Sequence, residues 1–304
     1  MLLYSIMNCI TIFSSILHTT SKNIQNPSLY PNLSGTALNN LGLHLDASKA
    51  SSLTLTGTLG TSISNWADTL GVYNFGITNG VLNDPSQGYP LYQSSQYRVY
   101  FPYGFYRYVQ SGTNTPGYLS CKTALAGTPL NNISNSTGAT FYIVIQNDYT
   151  NDIANLNNTN LQRSPFNFTG SGSVGGWAML YGYVAGDTIN EVLLNTLQTN
   201  PTIRSNFFAV NSTSTPVLNK KHICKINATA FNTFIYSYIT SNVTFTSTYA
   251  NGNIGGFDPN FMTLGASNQD IYRGYMYEIL MFDVAISTAQ QTIVETYLIN
   301  KWSL

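Results

Sequence analysis

The sequence predicts an all-β protein: a two-sheet antiparallel sandwich of the jelly-roll type that ends in one short C-terminal helix. Three observations predict this fold. Asn occupies 35 of the 304 positions, whereas only 8% of residues are charged, against about 25% in a typical globular domain. Short runs of β-branched and aromatic residues follow one another, separated by Gly, Asn and Pro and without intervening helices. A single amphipathic, well-capped helix lies at the end of the chain.

The net charge of the chain limits which classes of molecule it could bind by electrostatic attraction. The 12 basic and 12 acidic residues cancel, so the chain as a whole offers no electrostatic attraction for nucleic acid or an anionic membrane. We therefore exclude nucleic acid as a partner.

Residues 1–38 are predicted to form an N-terminal arm or anchor plus a linker, separate from a domain over residues 39–304. Residues 1–18, "MLLYSIMNCITIFSSILH", are apolar but lack the basic residue that precedes the apolar run of a secretory signal. Asn8 and several serines interrupt the run, which is also short for a membrane span. The sequence leaves open a signal, a membrane contact and an arm that packs on a neighbouring subunit.

The domain opens with an alternating strand, in which Leu41, Leu43 and Leu45 face one way and the residues between them face the other. This pattern predicts a half-buried strand. Further strands are predicted at 62–68, 97–101, 140–146, 177–184, 206–210, 222–227, 234–240, 243–249, 261–265 and 275–282.

The closing helix has a recognisable start. Ser287 can cap it, and Gln290 three residues later completes a capping box. The predicted buried face consists of Ala289, Ile293, Val294, Tyr297, Leu298 and Trp302.

An aromatic stretch at 97–109, "YRVYFPYGFYRYV", provides the candidate binding surface. Its near-mirror flanks predict a hairpin around Phe101-Pro102-Tyr103-Gly104, in which Tyr100 pairs with Tyr106 and Val99 with Arg107. Tyr97, Val99 and Phe101 would then face the core, and Arg98 would contact Tyr108 on the outward face. The candidate binding residues are Arg98, Tyr100, Tyr103, Tyr106 and Tyr108.

Three interpretations of this surface stay open: a platform for sugars, a protein contact and an ordinary sheet surface. The frequency of Tyr and Arg at interface centres favours the protein contact.

Two blocks resemble a known family. They are "LGLHLDASKASSLT" with the following "GTSISNWADTLG", and the C-terminal "MTLGASNQDIYRGYMYEILMFDVAISTAQQTIVETYLINKWSL". Both are similar to the laminin-G-like branch of the concanavalin A-like lectin/glucanase superfamily. The resemblance implies a two-sheet antiparallel jelly roll over residues 41–304. Such domains occur in secreted lectin-like modules and in structural proteins of large DNA viruses and phages.

Calcium is common in lectin-like jelly rolls, where loop oxygens bind it. The sequence "NDYTND" offers Asn147, Asp148, Asn151 and Asp152 as candidate Ca²⁺ ligands directly after a strand. A solvated turn is the alternative interpretation, and no other cofactor is expected.

Catalysis is not predicted. The superfamily's glucanases carry Glu-x-Asp-x-x-Glu on one strand, and none of the three glutamates here, Glu191, Glu278 and Glu295, has that context. Glu278 lies in an apolar strand, where an isolated carboxyl group has a raised pKa. We interpret it as a structural carboxylate bonded to backbone or to Arg273.

The leading functional prediction is a non-catalytic structural or attachment component of a large assembly, specifically a minor capsid protein located in the virion of a large DNA virus. Its partners would be other structural proteins and glycans. The alternative is a secreted or membrane-anchored carbohydrate-binding module located outside the cell, and a glycosidase comes third. The assignment to a virion rests on family analogy.

Overall fold

A computed structural model describes residues 39–59, 61–78, 88–102, 117–123, 127–133, 137–148, 160–169, 176–184, 191–196, 207–209, 220–229, 233–240, 244–250, 262–265 and 272–304. These residues form antiparallel strands β1 to β17, one α-helix and three short 3-10 helices at Ala50–Ser52, Ser94–Gln96 and Pro129–Asn132. The predicted arm and linker, residues 1–38, lie outside the described residues. Within the described ranges, no helix is both long and apolar enough to cross a membrane.

Eight strands form the layer that carries the helix, called here the helix-side layer. They are β1 (Leu41–Asp46), β5 (Leu91–Gln93), β6 (Arg98–Phe101), β8 (Ala139–Asn147), β13 (His222–Thr229), β14 (Thr233–Ile239), β15 (Thr244–Ala250) and β17 (Gly274–Phe282). β17 lies at the centre of this layer: β8 pairs along its whole length on one edge, and β6 and then β1 pair on the other.

The other nine strands form the opposite layer. They are β2 (Leu53–Thr56), β3 (Ser62–Ala67), β4 (Asn74–Thr78), β7 (Tyr118–Cys121), β9 (Asn160–Thr169), β10 (Gly176–Val184), β11 (Glu191–Thr196), β12 (Phe207–Ala209) and β16 (Met262–Leu264). A pairing between Ser62 of β3 and Leu91 of β5 joins the two layers into one curled antiparallel sheet. The predicted all-β antiparallel sandwich with a short C-terminal helix is confirmed.

The main core lies between the two layers. Every second residue of the central strands points into it, as the period of two requires. Phe141, Ile143 and Ile145 of β8 meet Trp66 and Phe166 from the opposite layer, and all five side chains are fully buried.

A second core lies on the outer side of the helix-side layer, under helix α1 (Thr288–Trp302). Tyr142, Leu280 and Phe282 from the sheet pack here against Leu298 and Trp302 of the helix. All six residues of β1 are consequently buried, so the predicted half-buried strand is wrong: α1 covers the face that carries His44 and Asp46.

The predicted helix start is confirmed, because Ser287 and Gln290 form a complete capping box. Its predicted face is correct in part. Val294, Tyr297, Leu298 and Trp302 are buried, whereas Ala289 and Ile293 are exposed and Lys301 is buried instead.

Candidate functional site

The strand β6 holds the first two candidate binding residues in the interior of a sheet. Val99 and Tyr100 pair with β5 on one edge and with β17 on the other. Both edges are therefore filled, and the predicted hairpin pairing of Val99 with Arg107 and Tyr100 with Tyr106 is wrong. Tyr103, Tyr106 and Tyr108 lie outside the described residues.

The predicted side-chain directions within β6 are correct. Val99 and Phe101 are buried in the main core, and Arg98 and Tyr100 lie half-buried on the outer face. Tyr97 does not face the main core as predicted. It has a left-handed conformation with φ 52°, and it packs against the second core.

A group of aromatic rings and cations, called here the outer cluster, surrounds Arg98 and Tyr100. Tyr100 stacks on Tyr275, with ring centroids 4.7 Å apart and planes inclined by 23°. The Arg98 guanidinium carbon lies 3.5 Å from the centroid of the Tyr275 ring. The cation–π partner of Arg98 is thus Tyr275 from the neighbouring strand, whereas the predicted partner was Tyr108. The other members of the cluster are Gln146, Asp148, Lys221, Arg273 and Tyr277.

Asp148 holds one end of the outer cluster. Its Oδ2 atom accepts a hydrogen bond from the Tyr100 hydroxyl at 2.9 Å and one from Arg273 Nε at 3.3 Å. Burial, together with the hydrogen bond to this carboxylate, raises the pKa of Tyr100 to about 12. Tyr100 therefore stays a neutral donor at physiological pH.

Tyr277 holds the other end. Its hydroxyl donates to Gln146 Oε1 at 2.9 Å and accepts from an Arg98 guanidinium nitrogen at 3.1 Å. The Lys221 ammonium lies 4.9 Å from the centroid of the same ring. Burial, and secondarily the charge of Arg98, lowers the pKa of Lys221 to about 8, so Lys221 is still mainly charged at neutral pH.

The backbone at Gly274 brings β17 close to β8 beside this cluster. Gly274 has φ +151°, and a Cβ atom there would collide with the hydroxyl of Tyr272 and lie 2.6 Å from the carbonyl oxygen of Gln146. Glycine avoids both contacts. The Arg-Gly pair at the start of β17 thus aligns Arg273 and Tyr275 with Asp148 and Tyr100.

Of the four predicted calcium ligands, the structure describes Asn147 and Asp148. Asn147 points inward and is 1% exposed, whereas Asp148, the next residue, points outward to Tyr100 and Arg273. Neighbouring side chains at the end of a strand tend to face opposite ways, and the calcium site stays a prediction. Asn151 and Asp152 lie outside the described residues.

A second group of charged residues, called here the buried charge network, lies under the helix. β1 and β17 place Asp46 opposite Glu278, and Lys301 of α1 bonds to both, at 2.7 Å and 2.8 Å. His44 Nε2 lies 2.7 Å from Glu278 Oε1. Trp302 Nε1 donates to Glu278 Oε2 at 2.6 Å.

Glu278 is structural, as predicted, but its partners and its pKa differ from the prediction. Burial alone would raise the pKa, yet the charge of Lys301 and the contact with His44 outweigh it and hold the pKa at about 2. Arg273, the predicted partner, pairs with Asp148 instead.

The buried charge network could be mistaken for a metal centre or a catalytic acid pair. His44, Asp46 and Glu278 offer ligand atoms within 4.8 Å of one another. The Lys301 ammonium already binds both carboxylates, however, and would repel a metal ion. The side chains of Asp46, Glu278 and Lys301 are at most 1% exposed, so no substrate reaches the pair.

Sequence reasoning missed Gln146, Lys221, Tyr275 and Tyr277 as site residues. The strands at 140–146 and 275–282 were predicted correctly, and their alternation already places Tyr275 on one face of β17. Which strand borders β6 was the missing information, because only the fold brings β17 beside it.

Comparison with known proteins supports the fold. No family model matches this chain, and no curated protein matches it. The binding domain of botulinum neurotoxin DC in complex with SialylT is 12% identical, with a TM-score of 0.50 over 86% of this chain and 52% of that one. This chain thus spans about half of the neurotoxin domain.

Two further neighbours have lower TM-scores. Domain 4 of a GH43 extracellular arabinanase from Geobacillus stearothermophilus, in complex with arabinotriose, is 10% identical with a TM-score of 0.47 over 85% of this chain and 98% of that one. Trypanosoma rangeli sialidase in complex with sialic acid is 11% identical with a TM-score of 0.45 over 96% of this chain and 39% of that one. At such identities the likeness is one of fold, a β-sandwich, and the concanavalin A-like assignment stays a prediction.

Proposed function

We propose that this protein is a non-catalytic glycan-binding module whose binding surface includes the outer cluster. The observation that carries the proposal is the half-exposed group formed by Arg98, Tyr100 and Tyr275. A sugar presents apolar C–H surfaces beside hydroxyl groups. Tyrosine rings with fixed polar atoms around them match both features.

The cluster is ordered before any ligand arrives. Hydrogen bonds hold Tyr100 on Asp148, Tyr277 on Gln146 and Arg98 on Gln93. Side chains that are already fixed lose little conformational entropy when they bind. Such preorganisation favours a recognition surface.

The acids among the described residues favour a binding role over hydrolysis. Glycoside hydrolysis generally uses two carboxyl groups that flank the scissile bond. Asp148 is the only carboxylate of the outer cluster among the described residues, and it is bound to Arg273 and Tyr100. The close pair of Asp46 and Glu278 is inaccessible.

The neurotoxin binding domain that shares the fold was solved with SialylT, so the sandwich is compatible with this role. The chemistry of the proposal rests on the outer cluster. Secretion or membrane anchoring, expected with this function, stays a prediction.

A glycan array read with the wild-type protein and with Tyr100→Ser tests the proposal. The wild type should bind a subset of glycans, and the variant should lose most of that signal because the stack on Tyr275 is gone. Tyr118→Ser is the matched control: Tyr118 is also half-buried, on β7 of the opposite layer, and this variant should bind as the wild type does. Absence of wild-type binding, or equal losses in both variants, would refute the proposal.

The predicted role in a virion or another assembly remains a prediction. The virion assignment rests on family analogy. The assembly role rests on the low charge, on the Tyr- and Asn-rich surface and on residues 1–18, which lie outside the described residues. No solved neighbour named above supports it.

A further inference from the structure

Positive charge accumulates at the outer cluster of a chain whose net charge is zero. Among the described residues, three cations, Arg98, Lys221 and Arg273, lie there with one carboxylate, Asp148. Arg273 pairs with Asp148. In the part of the chain that the structure describes, Arg98 and Lys221 have no carboxylate within ion-pair distance.

Both cations retain hydrogen-bonding capacity. A guanidinium carries five N–H donors and an ammonium three. Arg98 uses donors toward Gln93 and Tyr277. The Lys221 ammonium lies over the rings of Tyr277 and Trp302, 4.9 Å and 5.8 Å from their centroids, and it has no hydrogen-bond acceptor among the described residues. Aromatic rings stabilise a cation without satisfying its N–H groups.

The two charges converge on one side chain. Arg98 bonds to the hydroxyl of Tyr277, and Lys221 lies over the ring of the same residue. Two like charges held close together on a half-buried surface repel each other. A bound anion would relieve this repulsion and fill the remaining donors.

We propose that Arg98 and Lys221 form a subsite for the carboxylate or sulfate group of an acidic sugar, beside the Tyr100–Tyr275 stack. This inference rests on the proposed function and adds the class of ligand to it. An oxyanion accepts hydrogen bonds from the guanidinium and the ammonium at once, which a neutral hydroxyl group does less strongly.

The nearby carboxylates do not occupy the proposed anion subsite. Asp148 is engaged by Arg273 and Tyr100. Glu278 bonds to Nε1 of Trp302, whose ring Lys221 contacts, but Glu278 is buried and neutralised by Lys301. An external anion therefore has no internal competitor among the described residues.

The test is an array that carries neutral oligosaccharides next to their sialylated and their sulfated counterparts. The wild type should bind the acidic members at least tenfold more strongly than the matched neutral ones. Arg98→Gln and Lys221→Gln should each reduce that preference several-fold. Lys220→Gln, at an exposed neighbouring lysine, should keep it. Circular dichroism checks that each variant is folded.

The outcomes separate this inference from the function beneath it. Equal binding of neutral and acidic members would overturn the anion subsite and leave glycan binding intact. An acidic preference that survives both substitutions would also overturn it, because the anion would then bind elsewhere. No binding to any glycan would overturn both. A preference for only sialylated or only sulfated members identifies the anion and supports the subsite.

Discussion

The buried charge network and the outer cluster lie on the same face of the helix-side layer, yet they differ in how their charged side chains are paired and exposed. In the network, Lys301 is bonded to Asp46 and Glu278, and all three side chains are at most 1% exposed. In the outer cluster, Arg98 and Lys221 are half-buried and lack carboxylate partners among the described residues. Balanced, enclosed charges stabilise a fold, whereas unbalanced, accessible charges remain able to bind a ligand.

The two sequence blocks that resemble the laminin-G-like family meet in the buried charge network. Asp46 and Ser48 of the Leu-Asp-Ala-Ser turn, Glu278, and Lys301 and Trp302 of the closing Lys-Trp-Ser-Leu all meet in the network. The motifs most similar to the family thus join the first strand, the last strand and the helix. In this chain they hold the fold together, and the proposed binding surface does not include them.

The largest expected effect is from Lys301→Met. Removing the ammonium leaves the buried carboxylates of Asp46 and Glu278 without their shared lysine, which should lower the free energy of unfolding by about 3–5 kcal/mol. Urea unfolding measures it. Lys220→Met, at an exposed lysine, is the control and should change stability by less than about 0.5 kcal/mol.

Neutralising the network sharpens this test. If unpaired charge is the cause, adding Asp46→Asn and Glu278→Gln to Lys301→Met should recover part of the lost stability. A Lys301→Met variant as stable as the wild type would show that the network is not closed as described.

The next effect concerns His222, which is as buried as Lys301 and whose charged form is disfavoured by that burial. Burial, opposed by the bond to the Lys220 carbonyl, lowers the pKa of His222 to about 4. Below about pH 6.5 the unfolded chain binds a proton that the folded chain does not. The contribution of His222 to the free energy of unfolding should therefore be fully present above pH 6.5. It should decrease by about 3 kcal/mol as the pH drops to about 4.

Urea unfolding of the wild type and of His222→Gln between pH 7 and pH 4 isolates this contribution. The variant should lose less stability over that interval. Glu278 acts in a lower window: its depressed pKa stabilises the fold above about pH 4.5, and this contribution is lost as the pH falls toward 2. Identical pH profiles for the two proteins would rule out His222 as the source.

The smallest effect is expected from Tyr100→Phe in the outer cluster. This change removes the hydrogen bond to Asp148 and keeps the stack on Tyr275. The cost should be about 0.5–1.5 kcal/mol, measured by urea unfolding. A loss above about 3 kcal/mol would place Tyr100 in a core and weaken the contrast between the two regions.

Local features of the fold could be predicted from the sequence because their causes are local. The capping box joins Ser287 to Gln290 within one helical turn, and the alternation of Arg98 to Phe101 follows from the period of two. Both predictions are confirmed.

Pairing over long distances could not be predicted in this way. The mirror-like flanks at 97–109 indicated a hairpin, but the fold places β17 beside β6, and Arg98 bonds to Tyr277, 179 residues away. Lys301 meets Asp46 across 255 residues. A lysine on a helix gives no local sign that two carboxylates from distant strands will converge on it.

We propose that ligands bind at the outer cluster and not at the buried charge network or the opposite layer. Titrating the protein with the strongest glycan from the array, while following backbone amide chemical shifts by NMR, tests this location. The largest shifts are expected at residues 98–100, 146–148, 220–222 and 273–277. Shifts confined to the opposite layer, for example at 118–121, with none at these segments would contradict it.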